Sequence, residues 1–178
     1  MNAIGAHFTH GPLAGRFEFQ SWGCLPKSRG KQQRKTPEQI AAAHGLGLEE
    51  VGPIGSERLL AFIWQAAGRA GQDSEGWKRE RELIVVLDNY SVHKSEIVEA
   101  AKDALKAAGV YLEYLPSYSP ELSRIEPDWN DIKQHHLPVR SFEKVADLKR
   151  AVDEALAHKA RQLQLVHAKT TDLRRADT

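Results

Sequence analysis

The clearest pattern lies in the middle of the chain. Leu83-Ile84-Val85-Val86-Leu87 is an unbroken apolar run between the charged Arg79-Glu80-Arg81-Glu82 and the polar Asp88-Asn89. A five-residue run without alternation predicts a strand buried on both faces of a parallel sheet. Ser95 follows as a helix cap, and Ile97, Val98, Ala101, Leu105 and Ala108 recur at spacings of three and four until Gly109 ends the helix. Residues 110–115 read as the next strand. Strand, helix and strand in that order predict a right-handed βαβ unit with adjacent parallel strands, so this half of the chain is α/β.

Upstream, Gly5, Gly11, Pro12, Gly15, Gly23, Pro26 and Gly30 restrict residues 1–35 to short elements. The period-two alternation of 16–22 predicts an edge strand. Thr36-Pro37-Glu38-Gln39 has the spacing of a capping box and starts a helix that runs to His44 before Gly45. The words from Gln39 to Leu46 are like the first half of a helix-turn-helix. The following Leu48-Glu49-Glu50-Val51-Gly52-Pro53 is too short and too acidic for a recognition helix, so a surface helix is expected. Ser56 is expected to cap a helix over 57–70 whose apolar face is Leu59, Leu60, Ile63, Trp64 and Ala67. Helices are also expected over 126–137 and 142–165, the second with Val145, Leu148, Val152, Ala155 and Leu156 on one side. The polar last dozen residues are expected to fray.

Composition adds limits to this picture. The 178 residues suit one domain, and 41% hydrophobic with 28% charged residues suits a folded globule. With 25 Lys+Arg against 24 Asp+Glu there is no global field to attract nucleic acid, so any basic site is local. Lys27, Arg29, Lys31, Arg34 and Lys35 lie in an acid-free stretch and form that site, either for DNA phosphates or as a solvated loop. The single Cys24 excludes an internal disulfide framework and fits a reducing compartment, so the expected location is the cytoplasm. No apolar run approaches the ~20 residues of a membrane helix, and no membrane partner is expected.

Asp88 directly follows the carboxyl end of the predicted strand 83–87, where open α/β sheets place their ligands. Glu126 opens a helix after the loop that leaves strand 110–115. If the two carboxylates converge, a hard cation such as Mg²⁺ or Mn²⁺ relieves their repulsion. The plainer alternative is that Asp88 caps a turn and Glu126 complements a helix dipole.

The wording favours the first. Leu87-Asp88-Asn89-Tyr90-Ser91-Val92-His93 together with Leu115-Pro116-Ser117-Tyr118-Ser119-Pro120-Glu121-Leu122-Ser123-Arg124-Ile125-Glu126-Pro127-Asp128-Trp129-Asn130-Asp131-Ile132-Lys133 resembles the DDE transposases of the mariner superfamily, in particular those of bacterial insertion sequences. The resemblance covers about residues 83–156. It implies a ribonuclease H-like α/β fold, incomplete at the N-terminus, over 36–165, preceded by a basic segment, 1–35, and followed by a polar tail, 166–178. It also implies cutting and joining of DNA by a two-metal site using Mg²⁺ or Mn²⁺, with Asp88 as the second acid and Glu126 as the third, both metal ligands. Asn89 and His93 would brace the loop or touch a phosphate, or His93 would simply begin a helix. Tyr118 and Trp129 read as anchors or stacking platforms, and Lys133 as a phosphate contact or a solvated lysine.

Two departures bear on function. Ser123-Arg124 replaces the family's Asn-Pro, which exchanges a rigid loop residue for a flexible cation. The family's first catalytic aspartate has no counterpart on an early strand. Glu18 and Asp73 are the substitutes considered, and neither has the expected setting. The expectation is therefore a transposase catalytic-domain fragment, nucleoid-associated and inactive alone. The alternative is a non-catalytic DNA-binding regulator that pairs with itself or with an intact transposase. A metal phosphoesterase with an Asp–Glu pair is a third reading, but it leaves Tyr118-Ser119-Pro120 and Trp129 unexplained.

Overall fold

A computed structural model describes residues 1–24, 36–69, 76–117, 119–139 and 141–176. In chain order its elements are β1 (Asn2–His7), β2 (Phe17–Trp22), α1 (Pro37–His44), α2 (Ser56–Ala66), β3 (Leu83–Leu87), α3 (Glu96–Ala107), β4 (Val110–Tyr114), α4 (Glu126–Asp131) and α5 (Val145–Ala176). They form two compact units, Met1–Pro53 with Arg124–Thr178, and Ile54–Ser123.

In the first unit β2 is not a lone edge strand. It pairs antiparallel with β1, from Asn2 opposite Trp22 to His7 opposite Phe17. Ile4 is the one strong β former in Asn2–Ala6, beside Asn, Ala and Gly, which is why its sequence did not announce a strand. Gly15 closes the hairpin at φ +83°, and a Cβ there would lie 2.5 Å from that of His167, so both backbone and space require glycine. The Thr36 capping box forms as its spacing predicts, with Gln39 N–H on Thr36 Oγ1 at 3.3 Å and Thr36 N–H on Gln39 Oε1 at 3.0 Å. The hairpin packs on α5 around Phe17, Ile132, Ala155 and Leu156. α5 continues to Ala176, past the predicted stop at 165. The expected helix 126–137 divides into α4 and a π-turn over Ile132–His136.

In the second unit β3 and β4 pair in parallel, Leu83 opposite Val110 through Leu87 opposite Tyr114. Ser95 caps α3, its hydroxyl accepting the Val98 N–H at 3.4 Å. Val98 and Leu105 are fully buried, but Ile97 is turned outward. The predicted burial of β3 on both faces is not seen. Ile84 and Val86 are 63% and 58% exposed, because among the described residues β3 pairs only with β4 and the sheet has two strands. α2 presents Leu59, Phe62, Ile63 and Ala66 to the core, with Leu60 and Trp64 only half-buried, so the face is rotated from the predicted one. Gly55, not Ser56, is its N-cap. The helix stops at Ala66 because Gly68, at φ +91°, closes a Schellman motif: Arg69 N–H bonds the Trp64 carbonyl and Gly68 N–H that of Gln65.

Candidate active site

Asp88 and Glu126 fall in different units, and each is described within its own. In Ile54–Ser123, Asp88 follows the last residue of β3. Its Oδ1 accepts the Tyr90 N–H at 2.9 Å and lies 2.7 Å from His93 Nδ1. His93 sits in a 3₁₀ turn over Ser91–Lys94, and its ring also approaches the Asp88 carbonyl at 3.2 Å. The imidazole thus fixes the carboxylate's rotation. Asn89 donates to the Leu115 carbonyl at 2.6 Å, while Leu115 N–H bonds the Leu87 carbonyl at 2.8 Å, so the ends of β3 and β4 are clamped together. Tyr114 adds a brace that the sequence did not single out. Its hydroxyl donates to the His93 carbonyl at 2.8 Å, and Lys94 and Lys102 lie over its ring at 5.5 and 5.0 Å. The Asp88 side chain remains 57% exposed.

In the other unit Glu126 is the first residue of α4, where a carboxylate complements the helix dipole. It is exposed, and among the described residues it makes no hydrogen bond or ion pair. Three residues on, α4 is held firmly. Trp129 packs edge-on against Phe17, ring centres 5.9 Å apart, and lies so close to Gly5 that a Cβ there would meet it at 3.0 Å. Trp129 is therefore an anchor between helix and hairpin. Lys133 is exposed on the π-turn. Tyr118, Asp73 and the basic group Lys27, Arg29, Lys31, Arg34 and Lys35 lie outside the described residues. Glu18, the considered substitute for a missing acid, is ion-paired with Arg16 and its side chain is only 10% exposed.

A group that sequence reasoning missed lies beneath α4. Asp128 is buried and stands 2.7 Å from His7 Nδ1 on β1 and 3.2 Å from Lys159 Nζ on α5. Lys159 Nζ also donates to Asp131 at 3.0 Å, and Asp131 lies 3.0 Å from His136 Nε2. The π-turn explains that last contact: its i to i+5 spacing brings residues five apart onto one side of the helix. Burial disfavours charge on Lys159, but its bonds to Asp131 and Asp128 outweigh this and raise its pKa above the ordinary 10.5. Asp131 is lowered from 3.8, chiefly by Lys159, against burial and with help from His136. The available signal was a lysine on the apolar stripe Ala155, Leu156, Leu163 of α5.

The donor chemistry at Asp88 and Glu126 fits a hard divalent cation. Both carboxylates are exposed, and Asp88 keeps Oδ2 outside its turn. Among the described residues no three His, Cys, Asp or Glu side chains gather as a metal site.

A family model described as DDE superfamily endonuclease matches residues 48–149, more than half of the chain and a span containing both carboxylates. The chain belongs to the DDE superfamily endonuclease family. No curated protein and no solved structure matches it. Membership in this family carries a ribonuclease H-like fold, with which the mixed α/β arrangement and its short parallel sheet are consistent, though they represent the fold incompletely. Family members act on DNA and typically use divalent metal ions, and the DDE endonuclease domain suggests transposase-type cutting and joining. No helix among the described residues is long and apolar enough to cross a membrane.

Proposed function

We propose that this chain is part of the catalytic domain of a mariner-type insertion-sequence transposase, acting on DNA at the nucleoid, with Asp88 and Glu126 as its metal-binding acids. The observation that carries the reading is that one family match spans both acids, each placed at the start of a loop or helix where its oxygens face solvent. A bound pair of Mg²⁺ or Mn²⁺ ions supplies an activated oxygen nucleophile and stabilises the leaving oxygen. The chain's own residues orient that site. His93 and the Tyr90 N–H set the Asp88 carboxylate, Asn89 and Tyr114 fix the loop behind it, and Trp129 seats the helix that carries Glu126. Lys133, exposed on the π-turn that follows α4, is the group offered to a DNA phosphate.

The chain offers two of the three acids a DDE site uses. Glu18 is only 10% exposed and ion-paired with Arg16, which supports the reading that it is not the third. On this proposal the chain binds DNA without joining it unless another segment supplies an acid. It then acts as a regulator, alone as a dimer or paired with an intact transposase.

The DNA-binding part is tested by a salt series. Duplex DNA measured by fluorescence anisotropy should bind weakly, with little sequence preference, and with affinity falling steeply as salt rises. Changing Lys27, Arg29 and Lys31 to Ala should reduce the slope of log K against log salt by about 2–3, since each phosphate contact contributes roughly 0.9. An unchanged slope would show that the run is a solvated loop and that DNA is held elsewhere or not at all.

A further inference from the structure

We propose that Lys159 is a positioning residue for Glu126, locking the rotation of α4 through paired ion bonds to Asp128 and Asp131. This inference rests on the reading of Glu126 as a metal ligand. Asp128 and Asp131 are spaced three apart on α4 and so share a face. One ammonium on α5 bonds both, at 3.2 and 3.0 Å. Its side chain is 10% exposed and that of Asp128 8%, so water competes little for either. His7 Nδ1 on β1 lies 2.7 Å from the second oxygen of Asp128, and His136 approaches Asp131 from the π-turn. Four elements therefore converge on six atoms beneath one short helix.

The physical case is one of direction. Trp129 and Ile132 give α4 its apolar grip, and the ion bonds of Asp128 and Asp131 add a directional one. Rotating α4 by one residue, about 100°, would strip Asp128 from Lys159 and leave both charges buried without partners. The same rotation would swing Glu126, which has no restraint of its own, away from its place. An all-apolar contact of equal volume would be about as stable, so the network's contribution here is a single orientation.

The test uses the full chain, with two readouts. Amide hydrogen exchange reads the anchoring directly: in Lys159→Met and in the milder Asp131→Asn, the Trp129 N–H should exchange roughly tenfold faster than in the parent, while amides of α1 stay unchanged. Lys159→Arg, which keeps the charge, should stay near the parent. Mn²⁺ titration reads the consequence. Both disruptive variants should weaken binding about tenfold, as loss of supporting contacts around a metal ligand does, and Lys159→Arg should restore most of it. If Lys159→Met does not fold, Asp131→Asn decides. Unchanged exchange at Trp129 overturns the proposal. So does unaltered Mn²⁺ affinity in variants whose exchange has risen, provided Glu126→Gln abolishes binding. If Glu126→Gln itself leaves Mn²⁺ binding intact, the metal-site reading has failed instead, and the exchange data alone decide whether Lys159 fixes the helix.

Discussion

Incubated with Mg²⁺ or Mn²⁺ and DNA carrying the ends of the element, the isolated chain is expected to give no strand transfer above an Asp88→Ala control. Two carboxylates can hold one divalent ion. A second Mg²⁺ needs further charged ligands to displace part of its hydration shell, and among the described residues no three His, Cys, Asp or Glu side chains gather to hold one. Glu18 is the nearest substitute in sequence terms, but its side chain is largely buried beside Arg16. Cleavage that depends on Asp88 and Glu126 and vanishes in Glu18→Gln would make Glu18 the third ligand and refute the two-acid account.

The second large effect concerns stability. Lys159→Met should destabilise the chain by about 3 kcal/mol, the low end for breaking a buried ion pair, because Asp131, the other partner of Lys159, is partly exposed. For a chain of this size that corresponds to a fall in Tm of roughly 6–12 °C, read by circular dichroism. The same network gives the pH dependence a sign. Asp131 has its pKa lowered in the fold, so its contribution is present above the ordinary value of 3.8 and is lost as pH falls below it. Lys159 has its pKa raised, so its contribution holds below 10.5 and fades as pH climbs past it. Between those limits the stabilisation is constant. In Lys159→Met the acid-side loss should shrink, because Asp131 no longer has its main partner. An equally steep acid transition in the variant would show that other carboxylates govern it.

Much of the second unit was legible because its signals are local. The run Leu83–Leu87, the Ser95 cap and Gly109 each act over a few residues, and β3, α3 and β4 formed where they predicted. The Thr36 box succeeded for the same reason. What failed depended on packing between distant segments. Asn2–His7 is a strand because Phe17–Trp22 pairs with it, not because Asn, Ala and Gly favour extended backbone. Ile84 and Val86 are exposed because no described strand lies beyond β3, something a single run cannot reveal. The site shows the same division. Asp88 and Glu126 were readable from their motifs, and so were Asn89, His93 and Trp129 as candidates. The network of His7, Asp128, Asp131, His136 and Lys159 joins residues up to 152 positions apart and left only a lysine on an apolar stripe as its trace.

The central claim is that Asp88 and Glu126 are both metal-binding acids. Free Mn²⁺ followed by electron paramagnetic resonance during titration of the parent chain, Asp88→Asn, Glu126→Gln and the double variant tests it most directly. The account predicts that each single change lowers Mn²⁺ affinity and that the double variant loses the bound ion. Parent affinity in either single variant, or binding that survives both changes, would contradict it.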